Sequence, residues 1–337
     1  MRAASATRSL LLLGGLSACS SLSTVVPLAA PASAGGARIV EPRPLAYTGP
    51  VADTGPADDV APGALPDAAA APPAAPASKI VGVVLPDTDF FPTYIASPNR
   101  SQTAFIPLAA VNSEIPETGT QRFGIRIGGT IGVVRFHPEN DPDTGFQIDV
   151  EIGFAGQFDG SQSLDNIGWN GIFGFRGAYK PTKDFALHFG TLHNSAHVGD
   201  EYAERTGRER IEYTREEIVV GASFWPIERW RLYSDLGVAF GQEDFQEPLR
   251  VNLGAEFTGD ESWWFAGVPW YAAADLDSFQ ERDWRPAITG QVGIIIDAPE
   301  QGSRVRFAFE AFTGRSWLGE FSFSDETYVG FGVFYDL

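Results

Sequence analysis

Three of the chain's four histidines fall between His188 and Asp200, in the stretch HFGTLHNSAHVGD. Its residue types offer nucleophilic chemistry. A serine hydroxyl is a weak nucleophile until a base takes its proton, and the base needs a third group to hold its tautomer. His193 and Ser195 stand two apart, so on an extended strand they share a face and the imidazole comes within reach of the hydroxyl. Glu216 is the candidate third member, with Glu212 or Asp200 as substitutes. The alternative is a strand that ends in polar residues, where His, Ser and Thr are ordinary. A metal reading of His193, His197 and Asp200 or Glu201 needs helical spacing. On a strand the two imidazoles lie about 13 Å apart, so no metal is expected, and no cofactor.

The elements that would position these groups are strands. From about residue 101 to the end the apolar period is two. GFQIDVEIGFAGQF sets Phe146, Ile148, Val150, Ile152, Phe154 and Phe158 against Gln147, Asp149, Glu151 and Gln157. RWRLYSDLGVAF, PLRVNLGAEF and SRVRFAFEAF repeat the pattern. Strands of a soluble sandwich average about five or six residues, whereas these run about ten or more, the length a tilted strand needs to cross hydrocarbon.

Composition agrees. The chain has 337 residues with 43 acidic and 24 basic side chains, a net charge of −19 that excludes nucleic acid as a partner. It carries 25 Phe, 8 Trp and 37 Gly, which favours strands and turns, and one Cys, which excludes an internal disulfide.

That cysteine belongs to the N-terminus. Arg2 and Arg8 precede a short apolar run that closes on Leu16-Ser17-Ala18-Cys19. This resembles a bacterial lipobox, which implies a signal peptide over residues 1–18 and lipidation at Cys19. A plain secretory cut after Ala34 is the competing reading. Residues 19–78 are rich in Ala and Pro and read as a disordered tether. Residues 79–100 read as an ordered lead-in of unspecified shape, and residues 101–337 as the strand-built domain. No segment has the roughly 20 apolar residues of a membrane helix.

The C-terminus decides between sandwich and barrel. Val329, Phe331, Val333, Tyr335 and Leu337 form one apolar face that includes the last residue. This resembles the C-terminal assembly signal of bacterial outer-membrane barrels, and it implies engagement with the barrel-assembly machinery. The expectation is an all-β fold: an antiparallel transmembrane barrel of about twelve strands in the outer membrane of a Gram-negative-type cell. Short connections follow the even strands and longer ones mostly the odd strands, which orients short turns to the periplasm.

In that frame the fifth strand, DFALHFGTLHNSAHV, climbs outward with Phe185, Leu187 and Phe189 facing lipid. The same parity carries His193, Ser195 and His197 to the lipid side. Eight residues from Phe185 rise roughly 20 Å, which sets His193 and Ser195 at the outer leaflet. A simple antiparallel register puts His193 opposite Glu216 and Ser195 opposite Thr214. The opposite parity predicts an ion-paired lumen, lined by Asp149, Glu151, Arg176, Arg231, Asp235, Arg250, Glu256, Arg304, Arg306 and Glu310, with Arg126 beside them. Such a lumen should be narrow and largely closed. Trp263, Trp264, Trp270, Trp284 and Trp317 read as an interfacial girdle. The arginines Arg205, Arg208 and Arg210 belong to a solvated loop, with a phosphate cradle as the alternative.

The outward His-x-Ser element is similar to that of outer-membrane phospholipase A and of the lipid A 3-O-deacylase family, which cut acyl esters on the barrel exterior. The phospholipase continues Ser-Asn-Gly where Ser195 is followed by Ala196-His197, and its Asn partner has no match. FFPTYIASPNR, LHNSAHVGDEY and EYTREEIVVG together resemble an uncharacterised bacterial family defined by domain of unknown function 1207, over about residues 85–337. That resemblance implies an outer-membrane barrel and assigns it no particular activity. The sequence thus leads to an integral outer-membrane barrel of unassigned specific activity. Its alternatives are an outer-leaflet lipid acyl-ester hydrolase, with Ser195 as nucleophile, His193 as base and outer-membrane lipids as partners, or a small channel.

Overall fold

The computed structural model describes residues 78–261, 267–298 and 303–336. The signal segment, Cys19, the tether, Trp263, Trp264 and Leu337 lie outside them. Twelve strands close a barrel: β2 (Thr103–Ser113), β3 (Gln121–Pro138), β4 (Gly145–Asp159), β5 (Asp165–Thr182), β6 (Phe185–Val198), β7 (Thr214–Ile227), β8 (Trp230–Gln242), β9 (Leu249–Glu261), β10 (Pro269–Phe279), β11 (Ala287–Ala298), β12 (Ser303–Arg315) and β13 (Asp325–Asp336). Each pairs antiparallel with its sequence neighbours, and β13 pairs with β2 to close the ring. Among the described residues no helix is long and apolar enough to cross a membrane. Strands that satisfy every backbone group by pairing in a ring are the other way to do so.

The two-residue period sorts the side chains. Outward go Phe175, Phe189, Val220, Leu236 and Phe331, all exposed; inward go Gln147, Asp149, Arg126, Glu310 and Arg306, all buried. One end carries the two shortest connections, residues 183–184 between β5 and β6 and 228–229 between β7 and β8. The other end carries the longest, residues 199–213, which hold the helix α1 (Asp200–Thr206). That helix stops at Gly207, whose φ of 68° is the left-handed turn glycine makes without strain.

The lead-in acquires a shape the sequence left open. A thirteenth strand, β1 (Ile80–Val84), pairs with the short-connection end of β3, Val84 opposite Val134. The chain then enters the barrel. Phe90, Phe91 and Tyr94 are buried against Ala178, Ala186 and Tyr233, and Tyr94 stacks flat on Tyr233 at 3.8 Å. Arg100 bonds Glu151 at 3.2 Å and also Asp235, which accepts from Tyr94 as well. The opposite mouth is filled by the connection between β12 and β13, where Trp317, Leu318 and Phe321 pack on Ile106, Ile167 and Tyr328.

Trp317 corrects the girdle reading. It is 2% exposed and points into the barrel, its indole N–H donating to the Tyr328 hydroxyl at 3.3 Å. Asn170 fixes the connection from below: its amide donates to the Trp317 carbonyl at 2.7 Å and accepts from the Gly319 N–H at 3.0 Å. A tryptophan just past a strand end goes to the interface only if its connection folds outward; this one folds in. Trp284 is exposed, and Trp270 is half-buried against Phe257.

Candidate functional site

Two regions concentrate polar chemistry, and they lie on opposite faces of the same wall. Inside, charges are paired because a carboxylate or guanidinium shut away from water is costly unless its partner is in contact. Arg126 grips Glu310 through two hydrogen bonds of 2.8 and 3.0 Å. Arg176 pairs with Asp149 at 3.0 Å, Arg231 with Glu256 at 3.2 Å, and Arg306 with Asp336 at 2.7 Å. Arg250 and Arg215 share Glu217 at 2.8 and 2.7 Å. His188 faces inward and meets Asp235 at 2.7 Å. Arg304 differs in place: it is exposed and lines a vestibule of about 710 Å³ at the short-connection end, together with Asp89, Arg229, Trp230 and Arg306.

Outside, near the long-connection end, stands the His193 group. The hairpin of β6 and β7 sets His193 directly opposite Glu216 and Ser195 opposite Thr214. Nδ1 of His193 and Oε1 of Glu216 are 2.5 Å apart. A carboxylate only accepts, so Nδ1–H is the donor, and the lone pair of Nε2 is left to act as a base. Both side chains are about one third exposed, 34% and 35%, so they are reachable from outside without being fully solvated. Glu212 and Asp200 do not share this role: Asp200 is held by Arg210, and among the described residues only Glu216 hydrogen-bonds the imidazole.

Ser195 lies one outward position further along β6, half-buried. Among the described residues no hydrogen bond joins its Oγ to His193. Alternate residues of a strand are separated by about 6.6 Å, a gap an imidazole and a hydroxymethyl group span together, and such links tighten when substrate binds.

The other neighbours were not singled out by sequence. Across β5, Gly171 faces Ser195, Phe173 faces His193 and Trp169 faces His197. Trp169 packs on His197 at 4.2 Å and on Phe154 of β4 at 5.3 Å. The signal was present as the outward parity of GWNGIFGF, but without the β5–β6 register nothing tied it to Ser195. The loop arginines form no open cradle. Arg205 pairs with Asp165 at 3.2 Å, Arg208 lies over Phe321 at 4.3 Å, and Arg210 takes Asp200. Among the described residues no three of His, Cys, Asp and Glu converge as a metal site.

The barrel is similar to solved outer-membrane proteins. An active-site mutant of outer membrane phospholipase A from Escherichia coli aligns at 10% identity with a TM-score of 0.50, covering 72% of this chain and 91% of that one. The Salmonella typhi outer membrane phospholipase dimer with bound calcium aligns at 10% identity and 0.47, covering 69% and 90%. LpxR from Salmonella typhimurium aligns at 10% identity with a TM-score of 0.37, covering 69% of this chain and 99% of that one. No curated protein matches the sequence. These likenesses concern the fold; the sequence itself gives the kinship, since residues 50–337 match the family described as protein of unknown function, DUF1207, and the chain belongs to that family.

Proposed function

We propose that this protein is an outer-membrane enzyme that hydrolyses acyl esters of outer-leaflet lipids at Ser195. The observation that carries the reading is the 2.5 Å bond from His193 to Glu216 on the outward face, with a serine at the next outward position of the same strand. Inside a core such a pair would be an ordinary satisfied histidine. Here it is turned away from the interior, where a lipid ester is within reach.

The chemistry follows from the three groups. His193 Nε2 takes the Ser195 hydroxyl proton as Oγ bonds to the ester carbonyl carbon. The carbon–oxygen bond to the lipid alcohol breaks, and the imidazolium returns the proton to that leaving oxygen. Water then attacks the acyl-serine, giving its proton to Nε2. Ser195 recovers the proton as the fatty acid leaves. Glu216 keeps Nδ1 protonated and offsets the imidazolium charge in both halves.

The exposed belt of Val220, Leu236 and Phe331 supports a lipid environment, and the short and long connections support periplasmic and outer ends respectively. The outward face of β13, Val329, Phe331, Val333 and Tyr335, supports recognition by the barrel-assembly machinery. Burial of the lead-in among paired charges supports a closed interior, which favours the exterior site over a channel.

The test is fatty-acid release from phospholipid and lipopolysaccharide by the refolded full chain against Ser195→Ala. Release by the wild type that is lost in the variant is expected. Equal release by both, or none from either, overturns the assignment.

A further inference from the structure

We propose that Gly171 opens a slot for the acyl chain beside Ser195, and that the residue at this position sets which chain lengths the enzyme accepts. The inference rests on the hydrolase reading above.

Ser195 has two lateral neighbours on the outward face. On the β7 side stand Thr214 and, one position on, Glu216, both polar. On the β5 side stands Gly171, with Phe154 of β4 behind it. An acyl chain bonded at Oγ leaves over the glycine, because the other side carries the dyad's carboxylate.

The backbone does not ask for glycine here. Gly171 is not among the positive-φ residues, so any side chain suits its conformation. Glycine inside a strand is a cost unless something must come close to the backbone. A Cβ at 171 would sit 3.2 Å from Ser195 Oγ and 3.5 Å from Trp169 Cζ3. Any larger side chain would therefore press on the nucleophile and fill the space next to it.

The walls are apolar and braced. Trp169 closes the end toward the long connections, fixed between Phe154 and His197. Toward the middle of the barrel wall the slot continues past Phe173, 41% exposed, which packs edge-on against Phe175 at 5.0 Å and faces Ile152 across β4. The line from Ser195 over Gly171 to Phe173 thus leads into the apolar belt, the direction an acyl chain takes in a membrane.

The test compares kcat/KM for 4-nitrophenyl palmitate and butyrate in the refolded full chain, for wild type, Gly171→Ala and Gly171→Val. Heat-modifiable gel mobility reports folding of each. The palmitate-to-butyrate ratio is expected to fall about tenfold or more in the valine variant, with alanine between. Alanine adds one methyl to a lipid-facing wall, so it serves should valine not fold. An unchanged ratio in folded variants overturns the slot while leaving the hydrolase reading intact. Hydrolysis of both esters that survives Ser195→Ala overturns that reading, and the slot with it.

Discussion

Glu216 accepts a hydrogen bond from His193 across the β6–β7 hairpin, 2.5 Å from Nδ1, on the face turned away from the barrel interior. One position deeper in the sequence, Glu217 faces the interior, where it is 3% exposed between Arg215 and Arg250. Adjacent glutamates thus serve different environments because a strand alternates its faces.

Removing the outer carboxylate should leave the fold and abolish orientation of the base. Glu216→Ala is expected to lower kcat for ester hydrolysis by roughly 10²-fold or more, with KM little changed. Glu216→Gln should recover part of that loss, since an amide oxygen still accepts from Nδ1–H. Wild-type kcat in the alanine variant in a steady-state assay would remove Glu216 from the mechanism.

The outward belt can be probed by a charge. Val220 is 48% exposed near the middle of β7, between Phe189 and Leu236. Val220→Arg should cost about 2–4 kcal/mol in a bilayer, whereas Ile227→Arg at the turn should cost at most about 1 kcal/mol. Urea titration of folding into lipid vesicles reads both. Equal small effects would mean that Val220 does not face hydrocarbon.

The interior pairs make a different demand. Arg126→Met strands the Glu310 carboxylate beside Gln291 and Tyr328, and should cost about 3–5 kcal/mol. Adding Glu310→Leu should return most of the loss, because the double variant buries no charge. The urea midpoints of the single and double variants decide this; additive losses would rule it out.

The lead-in should keep the lumen shut. In planar bilayers the wild type is expected to be silent. Tyr94→Ala combined with Arg100→Ala removes the stack on Tyr233 and the bonds to Glu151 and Asp235, and should give ion conductance. Steady conductance in the wild type would contradict an occluding lead-in.

The sequence by itself determined the strands, their faces and the closure into a barrel. Alternation is local: Phe146, Ile148, Val150, Ile152 and Phe154 reveal the outward side, and Gln147, Asp149, Glu151 and Gln157 the inward one, each by its own polarity. The β6–β7 register was also legible, because parity fixes each strand's face and a simple hairpin then aligns His193 with Glu216. What only the tertiary structure decided depends on contacts between distant segments. Phe90, Phe91 and Tyr94 read as apolar residues broken by proline, and their place inside the lumen follows from the space that ring closure leaves. Trp317 turns inward because Asn170, far away in sequence, holds its carbonyl. Gly171 meets Ser195 only through the β5–β6 pairing, and neither residue type announces that contact.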